Sequence, residues 1–415
     1  MILATKTVFI VGLMVLACCG SLQAQANSFT VTLEPPSHGK VHLDPPLPAD
    51  GKYAAGTVVT VKATPDAGYA LDSAWYSIPG RFGQMYHEGM TGEFKVTIDQ
   101  DKRIGASFIE ESAVNHIDVK QDIVYAKPGV KPLKYDIYIP KGARNLPLIV
   151  IIHGGGWNAN DEDIMRGLAR ELTKGGRFVV ASIDYRWAAR SDGDAVNNTM
   201  ANLIEDVYGA VAHIMEHAAE YGGDPTKIGL TGDSAGGHLS AFAALATNMI
   251  GSHGFGKTPG VFEFRPTYFP KNKSVEQVRT EMTAAIKAAA PSYGVFSAAS
   301  LSTYSEDPAA DETWKEAIAP LSHIPKASER SVPMFLTRGT QDRLISNASV
   351  TEFVDALVKA GQRVEYVQVG GANHAFFDWK PDPATKATFE RYGVYYAAAM
   401  KQFFESVLKK SSDEN

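Results

Sequence analysis

The sequence predicts an α/β protein: a mostly parallel sheet with helices on both faces, preceded by a small all-β domain. Three observations predict this. Residues 27–112 carry short bursts of apolar–polar alternation separated by Pro and Gly clusters, the pattern of half-buried strands joined by turns. From residue 113 to 415 continuous apolar runs alternate with segments of helical period, as buried parallel strands do with their crossover helices. Two glycine-rich turns directly follow two of those apolar runs.

The first 26 residues are expected to be a secretory signal peptide. Lys6 supplies the positive start, Val8 to Cys19 is an apolar run short for a membrane span, and Ala24-Gln25-Ala26 is a small-x-small cleavage site, with the cut after Ala26. Val15-Leu16-Ala17 before Cys18 offers a lipoprotein alternative, ranked second because Leu16 is bulky for that box. Both cysteines, Cys18 and Cys19, fall in this segment. The mature chain then has none, so it has neither disulfides nor thiolate chemistry, and a secreted or periplasmic bacterial protein is expected. No other segment is apolar enough over sufficient length to span a membrane.

The formal net charge is −6, and loss of Lys6 makes it −7. With no Lys/Arg run there is no footprint for nucleic acid.

In the all-β unit the alternation falls at Phe29–Leu33, Lys40–Leu43, Thr57–Val61, Glu93–Ile98 and Ile104–Phe108. The order of these signals resembles the internalin-type bacterial β-repeat module. Trp75, Tyr76, Phe82 and Tyr86 offer a sugar-stacking platform, but the favoured reading is Trp75 as core and the rest as edge packing, because aromatics are more often buried than functional.

In the larger unit, Ile117–Tyr125 and Leu133–Ile139 alternate like paired antiparallel strands. Leu146–Ile152 is continuously apolar, as is Phe178–Ile183, with a helix from about Asp161 to Lys174 between them. Asn202 to Tyr221 is a long amphipathic helix. Further strands are expected at Ala284–Ala290, Val332–Thr337 and Val364–Val369, with helices near Ser349–Ala360 and Ala384–Leu408. Residues 248–279 break the rhythm. Gly254 to Pro270 carries five aromatics, and the segment is either a lid over the site or a surface loop packed by its own rings.

Gly232-Asp233-Ser234-Ala235-Gly236 fits a nucleophile elbow, G-x-S-x-G. The serine sits at the tip of a strand-to-helix turn so crowded that its flanks must lack side chains. A serine hydroxyl is a poor nucleophile without a base, an acid to orient that base, and donors for the developing oxyanion. The sequence supplies each at a strand end, in the order Ser, Asp, His. Asp342 follows the strand ending at Thr337, and His374 follows the strand ending at Val369. His153-Gly154-Gly155-Gly156 follows the run at Ile152, and Gly155, Gly156 and Ala235 are the expected oxyanion donors.

These motifs, with Trp157, Asp184-Tyr185-Arg186, Tyr221-Gly222-Gly223-Asp224-Pro225, Gly339-Thr340-Gln341-Asp342 and Gly371-Ala372-Asn373-His374-Ala375-Phe376, resemble the α/β-hydrolase superfamily. They are closest to its hormone-sensitive-lipase-like and xylan-associated (acetyl xylan or feruloyl) esterase branches. The resemblance implies a secreted serine carboxylesterase acting through a covalent acyl-enzyme, with acylated plant or algal polysaccharide as substrate and no cofactor or metal. It implies that Asp184, Tyr185 and Arg186 brace the oxyanion loop. Three alternatives stand beside it: a general short-chain esterase with a spacer β-domain, an amide hydrolase, and a non-catalytic binding protein. Trp157 is a candidate substrate-binding wall, with core packing the competing reading. Asp161-Glu162-Asp163 and Asp192-Gly193-Asp194 lack the spacing of a calcium loop and are expected to be solvated charges. His238 and His323 are expected to be structural.

Overall fold

The computed structural model describes residues 27–80, 83–189, 191–304 and 312–408. The expected signal peptide with Cys18 and Cys19 lies outside the described residues, as does Phe82.

Residues 28–110 form β1 (Ser28–Leu33), β2 (Gly39–Asp44), β3 (Lys52–Ala54), β4 (Thr57–Pro65), β5 (Tyr69–Gly80), β6 (Gly83–Gly89), β7 (Glu93–Ile98) and β8 (Lys102–Glu110). They make two sheets, ordered β3-β1-β8-β5-β6 and β2-β4-β7. The inward residues of both sheets, among them Val31, Val59, Val61, Val96, Ile98 and Ile104, share one core. Five of these strands carry the alternation expected of them. The long strand β5 does not, because Asp72 to Trp75 are buried in unbroken succession. Trp75 is 4% exposed, and its indole lies over Gly105, where an added Cβ would come within 2.5 Å of the ring. Tyr86 meets it edge-on, and Tyr76 stacks on His87. Trp75 is thus core, as favoured from the sequence, while Tyr76 and Tyr86 are half-buried beside it.

The second unit holds β9 (Ile117–Ala126), β10 (Leu133–Pro140), β11 (Leu146–Ile152), β12 (Val179–Ile183), β13 (Gly223–Asp233), β14 (Ile286–Ser292), β15 (Met334–Gly339) and β16 (Val364–Val369). They form an eight-stranded sheet in the order β16-β15-β14-β13-β11-β12-β10-β9. Strands β11 to β16 are parallel, and β9 and β10 are antiparallel. Its helices are α1 (Arg166–Thr173), α2 (Met200–His217), α3 (Ala235–Leu245), α4 (Val275–Ala285), α5 (Ala298–Tyr304), α6 (Glu312–Ile318), α7 (Asn347–Lys359), α8 (Pro383–Thr388) and α9 (Val394–Leu408). Against the sheet, α1 packs with α9 and α2 with α3. From β11 the chain runs out to β12, then returns to lay β13 on the other side of β11. At that reversal neighbouring crossovers diverge and leave a crevice at the strand ends. The loops after β11 and β13 both open into it.

Three expectations are corrected. The strand expected from Ala284 begins at Ile286, after α4 ends at Ala285, because an alanine run carries neither period clearly. The helix expected from Asp161 starts as a 3-10 turn at Glu162–Met165, with the Asp161 side chain accepting from Asp163 N–H, and becomes α-helical at Arg166. The two acidic clusters are not solvated. Glu162, Asp163 and Asp194 are 2%, 8% and 7% exposed. Asp192 accepts from Trp187 N–H, and Asp194 accepts from Val130 N–H and Asn198 Nδ2. Asp122, Asp136 and Glu162 bring carboxylate oxygens within 4.8 Å of one another. The Lys134 ammonium pairs with Asp122 and Glu162 there as their countercharge.

The two units meet at β5. Asp72, buried, accepts from Arg166 Nε at 3.0 Å, Arg170 Nη1 at 2.8 Å and Trp379 Nε1 at 2.8 Å, with Lys386 Nζ at 3.4 Å. Arg166, itself fully buried, also reaches Glu88 Oε2 at 2.6 Å. Burial alone would raise the Asp72 carboxyl, but Arg166, Arg170 and Lys386 outweigh it and hold it far below the usual carboxylate range.

Candidate active site

Ser234 stands at φ +50° and ψ −113°, between the end of β13 and the start of α3. This backbone is strained for a residue with a Cβ. It is held by Ser234 N–H donating to Ser292 O at 3.0 Å, and by His238 N–H donating to Ser234 O at 3.1 Å. The flanking glycines are required sterically. A Cβ on Gly236 would lie 1.9 Å from Ile152 O, and one on Gly232 would lie 2.4 Å from the same oxygen.

Ser234 Oγ donates to His374 Nε2 at 2.9 Å, and His374 Nδ1 donates to Asp342 Oδ2 at 2.9 Å. A carboxylate only accepts, so it places the proton on Nδ1 and leaves Nε2 free to receive one. The other oxygen of Asp342 accepts from Leu344 and Ile345 N–H, each at 2.9 Å. Burial pushes the Asp342 carboxyl up, but the bonds from His374, Ile345 and Leu344 outweigh burial and hold it below the usual range. The three residues come from the ends of β13, β15 and β16, with His374 separated by 140 positions from Ser234 and 32 from Asp342.

Gly155 and Gly156 line a pocket of about 250 Å³ together with Ser234 and His374. Gly155 has φ +122°, and a Cβ there would lie 2.1 Å from Ala159 O, so the loop admits no side chain. Ala235, 1% exposed, opens α3 directly beneath the serine. The loop is clamped from three sides. Asp233 Oδ1 accepts from Gly154 N–H at 2.6 Å, Tyr185 Oη donates to His153 O at 2.8 Å, and His153 Nε2 lies 3.4 Å from Asp184 Oδ1. Arg186 anchors this brace to α2 through Asp206 at 2.8 Å. Larger cavities exist elsewhere, such as one of about 510 Å³ between Met215 and Lys287, but they bring no nucleophile to a base.

Of the two readings of Trp157, the structure favours core packing. Its ring is 4% exposed, its indole N–H donates to His238 Nδ1 at 3.3 Å, and it does not line the Ser234 pocket. The aromatic segment 248–279 does not line that pocket either. Phe255 packs on Phe262, Phe264 and Trp314, and Phe262 also meets Trp314. Glu205 on α2 ties the segment down by accepting from Phe255 and Arg265 N–H. His238 and His323 donate to, or lie at 2.9 Å from, the carbonyls of Ile318 and Ala317, as structural histidines do.

Asp378, Lys380, Asn160 and Leu344 also line the pocket and were not anticipated. Asp378 had a signal: it is a single acid inside the run Phe376-Phe377-Asp378-Trp379, where burial is expected to need a partner.

The family model BD-FAE matches residues 135–357. A model of the divergent InlB B-repeat domain matches residues 29–112. Among curated proteins, carboxylesterase NlhH of Mycobacterium tuberculosis is 37% identical over 124 residues, which are 30% of this chain and 37% of that one. Esterase LipQ of the same organism is 28% identical over 253 residues, 56% of this chain and 51% of that one. The chain thus spans between about a third and a half of these relatives' length. Among solved structures, esterase 2 of Thermogutta terrifontis, phosphoramylated by tabun, is 25% identical with a TM-score of 0.51, covering 72% of this chain and 98% of that one. A truncated carbohydrate esterase from gut microbiota, 21% identical with a TM-score of 0.53, covers 71% and 97% and shares the fold.

Proposed function

The chain belongs to the BD-FAE family of α/β-hydrolases, and from that membership and the geometry at Ser234 we propose that it is a serine carboxylesterase, removing acetyl or feruloyl groups from polysaccharide. The observation that carries the reading is His374, bonded at 2.9 Å to Ser234 on one side and at 2.9 Å to Asp342 on the other.

In this reading His374 Nε2 takes the Ser234 proton as Oγ attacks the ester carbonyl. The oxyanion is received by the N–H groups of Gly155, Gly156 and Ala235. The Asp342 carboxylate stabilises the imidazolium. His374 then protonates the departing alcohol, leaving an acyl-Ser234, and a water activated by the same imidazole releases the acid. The expected leader at residues 1–26 supports export, and with it a substrate outside the cell.

The test is initial rates of the mature protein and of Ser234→Ala on p-nitrophenyl acetate, p-nitrophenyl octanoate, methyl ferulate and acetylated xylan. Serine-dependent turnover of ferulate or acetylated xylan supports the polysaccharide substrate. Activity confined to the nitrophenyl esters selects the general esterase. No serine-dependent activity on any of them sinks the reading.

A further inference from the structure

The Ser234 pocket has one polar group that its own fold leaves without a partner. Asp378 is 8% exposed, lines the pocket, and its Oδ1 has no hydrogen-bond donor among the described residues. A buried carboxylate oxygen with no donor is a costly arrangement; Asp136, Glu162, Asp184 and Glu263 each keep one too, but of these residues only Asp378 lines the Ser234 pocket. Its neighbours do not relieve it. Asp233 is a second acid beside it, already engaged by Gly154 N–H. Burial pushes its carboxyl up to about 6 against the pull of Lys380 and His374, neither of which bonds to it.

Its position says which half of the substrate it meets. Asp378 and Lys380 come from the loop that carries His374, and Nε2 of His374 is the atom that must protonate the leaving alcohol. The oxyanion donors approach from the loops after β11 and β13 instead. The His374 loop therefore flanks the alcohol.

We propose that Asp378 determines specificity for the alcohol, accepting a hydrogen bond from a second hydroxyl that the leaving alcohol carries beside the esterified one. This rests on the serine-esterase reading of the site and deepens it, by naming the residue that reads the alcohol half of the ester. Lys380 and Asn160, at the same pocket, supply donors for further oxygens of such an alcohol.

The test uses acetate esters, so that the acyl-enzyme and its hydrolysis are common to all. The comparison is kcat/KM for 2-hydroxyethyl acetate and 2-methoxyethyl acetate, which differ in the donor. The wild-type protein is expected to prefer the hydroxy ester by at least about tenfold, as a hydrogen bond to a charged acceptor implies. Asp378→Asn and Asp378→Ala are expected to lose most of that preference, with a smaller fall on p-nitrophenyl acetate. A wild-type protein with no preference overturns the proposal even if no variant folds. Variants that lose both acetates equally overturn it too, making Asp378 structural. In either case serine-dependent cleavage of p-nitrophenyl acetate leaves the esterase reading standing, whereas its survival in Ser234→Ala removes that reading itself.

Discussion

Asp72 of the β-domain accepts a hydrogen bond from Trp379 Nε1 at 2.8 Å, across 307 residues of chain. Trp379 lies between Asp378 and Lys380, both of which line the Ser234 pocket, and five residues beyond His374. The β-domain therefore holds the loop that carries His374. Arg170 and Lys386 lie over the same indole ring, at 4.7 and 5.1 Å from its centroid.

Asp72→Ala leaves Arg166 buried with Glu88 as its remaining close acid on β5–β6, and Trp379 Nε1 without its acceptor. Removing one partner of a buried ionic network costs about 3–5 kcal/mol. The expected outcome is a lowered Tm together with a fall in kcat/KM measured well below that Tm. A variant that loses stability but keeps full kcat/KM would restrict Asp72 to anchoring the domain.

Asp342→Asn keeps the shape of the acid but can no longer fix the proton on His374 Nδ1. A loss in kcat on the order of 10³–10⁴-fold is expected, with little change in Tm. Initial rates beside thermal unfolding check it, and a loss below tenfold would argue against a triad.

Gly155→Ala places a Cβ 2.1 Å from Ala159 O at φ +122°, so the loop must shift. The glycine N–H donors move with it. A loss of about 10²-fold or more in kcat, with KM nearly constant, is the expected signature, because the donors act on the oxyanion rather than on the bound ester. A change confined to KM would place the loop in ground-state binding.

The buried acids near β10 predict how stability varies with pH. Burial and the adjacent Asp184 push Glu162 up to about 7, against the pull of Lys134. Its folded pKa is thus above its unfolded one, so its contribution is whole below the unfolded value and is lost as pH rises through the folded one. Wild-type Tm is expected to decline between about pH 5 and pH 8, and Glu162→Gln to flatten that decline. Superimposable slopes for the two proteins would show that Glu162 does not titrate there.

Much of the site was legible because each part sits at the end of its own strand. Gly232 to Gly236, His153 to Gly156, Asp342 and His374 are local motifs, and their loops hold them by short-range bonds such as Leu344 and Ile345 N–H to Asp342. The sequence left Trp157 open between pocket wall and core, because the bond from its indole N–H to His238, 81 positions away, is written in no local motif. The acidic clusters misled for a related reason: charge indicates exposure only until a neighbour such as Lys134 or Asn198 neutralises or bonds it.

By itself the sequence determined the class of the fold, and it offered a division at about residue 112 and a grouping of Ser234, Asp342 and His374. Those follow from hydrophobic period, glycine placement and chain order, all of which are local or ordinal. Only the tertiary structure decided that β5 is buried on Arg166 and Trp379, and that Asp378 faces the pocket without a partner. Such contacts join residues 94 and 307 positions apart. No periodicity encodes them, because they depend on where two surfaces far apart in the chain come to rest against each other.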